Sequence, residues 1–174
     1  MSEPLSFAAA IAHTGRLLDR QAAGELSLED LATEVAALVT TTDGARGFFV
    51  AWLSGDWPLA DAPPAPVLAA LATAPEPVAS LLVRNLAMST AMIRHHREQG
   101  DEEAAAGSQR TARRSAALIA ALNLPELHLH LAEMQNSLNE PQGEYAAFLQ
   151  RWGYTEAQKD DIRQALIGIA AERN

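Results

Sequence analysis

EPVASLLVRNLAMSTAMIRHHREQGDEEAAAGSQRTARRSAALIAAL, running from Glu76 to Leu122, is the stretch that decides the fold. It joins two runs of good helix formers at Gln99-Gly100-Asp101, and nothing in it alternates with the period of two that a strand requires. At about 100° per residue, Leu82, Leu86 and Ile93 fall on one side of the first run, and Leu81, Met88 and Met92 on the other. Asn85, Ser89 and His96 lie between them, in line with Val78. An unsatisfied polar group on a buried line costs roughly 1–3 kcal/mol, so these three side chains require partners. On the second run, Ser108, Thr111, Ala112 and Ser115 share a side with Leu118, Ile119 and Leu122. Antiparallel packing of the two runs would place the early turns of the second beside Ser89 and His96. The spacing therefore predicts a central helix hairpin over about 76–122. Its polar seam is read as either hydroxyls closing on backbone or a small-molecule pocket formed by Asn85, Ser89, His96, Ser108 and Ser115, with Arg84 or Arg110 holding an anionic group.

The rest of the chain reads the same way. Ser27 with Asp30, and Thr155 with Gln158, have the spacing of capping boxes. Helices are expected over about Leu5 to Ala23, from Ser27 to Thr40, after Asp43-Gly44 up to Gly55, from Asn123-Leu-Pro125 to Leu138, between Asn139/Gln142 and Gly153, and from Thr155 onward. Six of the nine prolines lie between Pro58 and Pro77, framing one short helical pattern from Val67 to Thr73. That segment reads as a connector between an N-terminal three-helix part and a C-terminal part, outside the core. The expectation is an all-α, single-domain bundle (1–174) of about seven major helices and a short one.

With 174 residues the chain can bury a core without metal or disulfide, and the absence of cysteine excludes thiolate catalysis and cysteine-ligated metals. Met1-Ser-Glu-Pro-Leu-Ser-Phe has an acid and no basic start, so a secretory signal is not expected; nor is a membrane span, and the chain is placed in the cytoplasm. The net charge of −9 opposes general nucleic-acid binding. Only Arg84 to Arg114 is locally basic, at +2, with Arg110, Arg113 and Arg114 the candidates for phosphate contacts. The helix after Thr41-Thr42-Asp43-Gly44 carries one arginine and a heavy apolar load, which does not suit a recognition helix.

No catalytic constellation is present in the pattern. Ser89 and His96 are seven residues apart, two turns or roughly 10 Å, so they form no dyad within their helix. Glu126, His130 and Glu133 share a face with Ser137, but diiron bundles use a Glu-x-x-His spacing that this chain lacks. His130 between two acids reads instead as a solvated ion-pair face opposite the stripe Leu127, Leu131, Met134 and Leu138. No metal or cofactor is expected. Eight of nine aromatics fall within Phe48 to Trp57 and Tyr145 to Tyr154; such residues fill cores or present interfaces, with Trp52, Trp57 and Trp152 the interface candidates.

Arg84-Asn-Leu-Ala-Met-Ser-Thr-Ala-Met, the following His95-His96-Arg97, Gly107-Ser108-Gln109-Arg110 and Ala45-Arg-Gly-Phe-Phe-Val resemble conserved hypothetical all-helical proteins of photosynthetic bacteria. The resemblance implies no activity. The preferred expectation is a non-enzymatic helical adaptor or regulatory protein working through protein contacts, plausibly as a homodimer; the alternative is a small-molecule-binding protein or enzyme using the hairpin pocket.

Overall fold

Short polar side chains cap the starts of five helices, at Ser6, Ser27, Thr41, Asp101 and Thr155. In the computed structural model, which describes residues 4–172, Ser6 Oγ accepts from Ala9 N at 3.3 Å and opens α1 (Phe7–Ala22). Ser27 Oγ accepts from Asp30 N at 3.0 Å and opens α2 (Leu28–Leu38). Thr41 Oγ1 accepts from Gly44 N at 3.1 Å and opens α3 (Thr42–Ser54), so Asp43-Gly44 is the first turn of that helix and not the break before it. A 3-10 turn at Pro58–Asp61 leads to α4 (Ala65–Leu71) and then to the long α5 (Pro75–Glu98). Gly100, at φ +74°, turns the chain, and Asp101 Oδ1 caps Ala104 N at 2.9 Å to open α6 (Glu102–Leu122). Asn123 takes the left-handed conformation before α7 (Pro125–Asn139). Two further helices follow, α8 (Ala146–Trp152) and α9 (Glu156–Glu172). Thr155 and Gln158 cap α9 reciprocally, with N–H to side-chain oxygen distances of 2.9 and 3.2 Å.

The fold is all-helical. The described residues hold nine α-helices, one more than the expected seven major and one short, and two of them, α4 and α8, have only seven residues each. α8 starts later than Asn139 and Gln142 implied: Asn139 is the last residue of α7 and its Nδ2 donates back to Gln135 O at 3.2 Å.

By contacts the chain divides into two compact units, Met1–Leu81 and Leu82–Asn174, the boundary falling within α5. In the first, α3 lies along α1, and α4 lies on α2. Phe48, Phe49 and Trp52 are fully buried, Phe48 stacking on Trp52 at 5.4 Å between ring centroids and meeting Phe49 edge-on at 5.2 Å. Gly47 lets α3 approach α1: a Cβ there would lie 2.5 Å from Ala10 Cβ and 2.9 Å from Ile11 N. Val67 and Leu71 of α4 are also fully buried, which corrects the reading of the proline-framed segment as lying outside the core. Pro64 stands at the N-cap of α4 and Pro66 in its first turn, where a missing N–H costs the helix no bond.

In the second unit, α9 packs on α6 and α7, and α8 on α7. Leu118, Ile119, Leu127, Met134 and Ile162 are fully buried. Side chains from α9 reach across to its neighbours. Asp161 receives both Arg94 Nε at 2.6 Å and Arg94 Nη2 at 2.9 Å, Gln158 Nε2 donates to Ala91 O at 3.1 Å, and Arg163 Nη2 donates to Leu138 O at 2.8 Å. The bidentate carboxylate holds the Arg94 guanidinium more firmly protonated than usual.

No single described helix is long and apolar enough to cross a membrane; α4 and α5 reach that length and composition only as a pair, across a 106° bend.

Candidate functional site

The polar line of α5 is not the centre of its buried arc. The residues with little or no exposure on α5 are Val78, Ala79, Leu82, Val83, Leu86, Ala87, Ser89 and Ala91. On a helical projection these centre near Leu82 and Leu86, about 100° from the line through Asn85 and His96, which are half-buried at its edge. Ser89 alone of the three is buried, and its Oγ donates to Asn85 O at 2.6 Å, with Leu86 O at 3.2 Å. On α6, Ser115 is fully buried and donates to Thr111 O at 2.8 Å, and Thr111 Oγ1 donates to Gly107 O at 3.2 Å. Ser89 and Ser115 thus close on their own helices, a turn back. Ser108 and Arg110 are half-buried. The His96 ring lies edge-on to its neighbour His95 at 5.6 Å.

Arg84 places its guanidinium 5.5 Å from the ring centroid of Tyr145 and 6.0 Å from that of Phe148, a cation–π arrangement. Arg114, read as a possible phosphate contact, is 3% exposed and engaged inside the protein. Of the three tryptophans, Trp52 is wholly buried and has no surface to offer a partner. Trp57 is half-buried and donates from Nε1 to Ala51 O at 3.1 Å, lying over Gly55, where any Cβ would collide with its indole. Trp152 is exposed.

One constellation is tighter than the sequence implied. His130, expected on a solvated face, is buried, as are Ser137 and Tyr145. Tyr145 Oη and His130 Nδ1 are 2.6 Å apart, and Glu133 Oε2 lies 3.4 Å from the same nitrogen. Ser137 Oγ donates to Glu133 O at 2.8 Å and accepts from Tyr145 N at 2.9 Å. Gly143 permits this closure, since a Cβ there would lie 2.2 Å from Ser137 Oγ. The network fastens the Gly143–Tyr145 turn and the start of α8 to α7. Among the described residues, no group of three or more His, Asp or Glu is placed to hold a metal ion. Tyr154 is a different case: its hydroxyl is buried with no hydrogen-bond partner among the described residues, and burial pushes its pKa up to about 12.

Several surface clefts each lie within one unit, and besides a smaller one of about 310 Å³ around the Arg94–Asp161 pair there are three larger ones. Between α7 and α9 is a cleft of about 440 Å³ lined by His128, Leu131, Ala132, Gln135, Leu166, Ile167 and Ala170, with no formal charge apart from any on the histidine. Ile167 on its rim is 54% exposed and Leu129, on the same helix as His128, is 56% exposed. A second, more polar cleft of about 490 Å³ runs between the end of α7, α8 and the start of α9; its two cations are already paired, Lys159 with Glu156 at 3.0 Å and Arg163 with Asp160. The third, of about 630 Å³, opens in the first unit between α1 and α2, where His13 Nε2 meets Glu34 Oε2 at 3.0 Å.

Residues 6–169 match the family described as Uncharacterised conserved protein UCP020893, so the chain belongs to that family. No curated protein and no solved structure shows detectable similarity to it.

Proposed function

We propose that this member of an uncharacterised family works by protein contact as a helical adaptor or regulatory protein, and that the α7–α9 face of its second unit is where it meets a partner, a second copy of itself. The observation that carries the reading is the apolar cleft between those helices with Ile167 standing exposed on its rim. Isolated exposed aliphatics are ordinary, but an aliphatic knob beside an aliphatic hollow offers both halves of an interface on one surface. Two copies related by a twofold axis can each place Ile167 in the other's hollow, lined by Leu131, Ala132, Leu166 and Ala170. The absence of carboxylates from the lining keeps the repulsion between two chains of charge −9 away from the centre of the contact. The polar groups of α5 and α6 support the same reading, because Ser89 and Ser115 spend their hydroxyls on their own helices.

The test is sedimentation of the wild-type protein beside Ile167→Glu. The exposed position keeps the substitution out of the core, so the variant stays folded, and its melting temperature falls only by the stabilisation that self-association lends the wild type. Wild type is expected to run as a dimer and Ile167→Glu as a monomer. A wild-type monomer at high micromolar concentration, or a dimer indifferent to Ile167→Glu, would contradict the proposal.

A further inference from the structure

The cleft in the first unit is built from two kinds of surface. Pro4, Leu5, Ala37 and Leu38 supply an apolar wall, and His13 and Glu34 face each other across the α1–α2 seam. Its volume of about 630 Å³ lies within the range of small-molecule sites, and the mix of an apolar wall with a few polar groups is what such sites share. The sign of the ligand follows from the lining and its surroundings. Neither lysine nor arginine lines the cleft, which removes the usual holders of phosphate or carboxylate. Residues 1–81 carry ten acids against three arginines and no lysine, a net −7 that raises the local concentration of cations. His13 occupies one oxygen of Glu34, Oε2, and the other, Oε1, has no partner among the described residues.

We propose that this cleft binds a small organic cation, an amine whose ammonium sits on Glu34 and whose apolar body lies against Leu5 and Leu38. His13 orients the carboxylate; the ligand's charge selects it over neutral and anionic molecules of the same shape. Glu34 is the specificity-determining residue, because a carboxylate-to-ammonium bond is charge-assisted and the apolar wall alone does not discriminate between head groups.

The experiment uses three probes with one body: n-hexylamine, hexanol and hexanoate, each titrated at neutral pH into the full-length, ¹⁵N-labelled protein while amide resonances are followed. The amine is expected to saturate and to move the amides of Ala37, Thr40, Thr41 and Gly44, the alcohol and the acid to bind at least about tenfold more weakly, and Glu34→Gln to weaken the amine by about tenfold. Glu34 is half-exposed, so its variant should keep the wild-type spectrum away from the cleft, and His13→Gln, which keeps the carboxylate, should retain preference for the amine. Absence of saturable amine binding, equal binding of hexanoate, shifts confined to other parts of the chain, or an affinity unchanged in Glu34→Gln would each overturn the proposal.

Discussion

At His130 the physical environment reverses what its neighbours in sequence imply. Two acids flank it at three and four residues, the pattern of a solvated ion pair, yet the buried arc of α7 takes in Leu127, His130, Met134, Ser137 and Leu138 and leaves Leu131 half-buried. The stripe of leucines marks one edge of that arc, and the other edge is polar because Tyr145, fifteen residues on, brings a hydroxyl to meet it. No periodicity on α7 announces a partner that arrives from a turn. Removing the hydroxyl with Tyr145→Phe should destabilise the second unit by about 1–2 kcal/mol, read as a lower denaturant midpoint with unchanged slope. The same variant leaves Tyr154 as the sole tyrosine, whose titration is then visible by phenolate absorbance. Its pKa of about 12 in the folded state, against about 10 when unfolded, means that the native protein holds a proton the unfolded chain gives up. Stability from this group is therefore present below pH 10 and is lost as pH rises towards 12; in urea the titration should return to about 10. A folded-state value near 10 would show that the hydroxyl reaches water.

Helices are the scale at which the sequence was most legible. The N-cap at Ser27, the capping box at Thr155, the turn at Gly100 and the stop at Gly153 all stand where the spacing placed them, because each rests on a local bond or a positive φ that neighbours alone determine; at Ser27 the box is half formed, since Asp30 accepts from the Ser27 hydroxyl and not from its backbone N–H. Thr155→Ala should cost about 1 kcal/mol, measured as a lower melting temperature. What the spacing missed were faces. In an alanine-rich chain, Ala79, Ala87 and Ala91 read as neutral filler, but they are the buried side of α5, and the line of Asn85, Ser89 and His96 moves to the edge. Replacing that line with Asn85→Leu and Ser89→Ala therefore tests whether it serves anything beyond packing; amides of α5 and α6 should keep their positions in the absence of added molecules. The short α4 was similarly underweighted, since its prolines suggested a spacer while Val67 and Leu71 carry core contacts. Close approach has its own signature: Gly47→Ala forces a methyl against Ala10 and the α1 backbone and should destabilise the first unit by about 1–3 kcal/mol.

For the molecule as a whole, composition settled the helical class, and family membership adds relatives without adding an activity. Function was less legible because it depends on which side chains are left over after packing. Trp52 and Trp152 look alike in the sequence, and only the fold shows that the first is sealed in a stack with Phe48 while the second is exposed. Ile167 and Leu166 are adjacent, one 54% exposed and one buried, and the step between them creates the knob and hollow of the α7–α9 face. The most direct test of that face as a self-contact is an isotope-filtered nuclear Overhauser experiment on an equal mixture of ¹³C-labelled and unlabelled chains. The account predicts cross-peaks between the Ile167 methyl groups of one copy and the Leu131 and Ala132 methyl groups of the other. A mixture without intermolecular peaks at those methyl groups, or with peaks only at other surfaces, would contradict it.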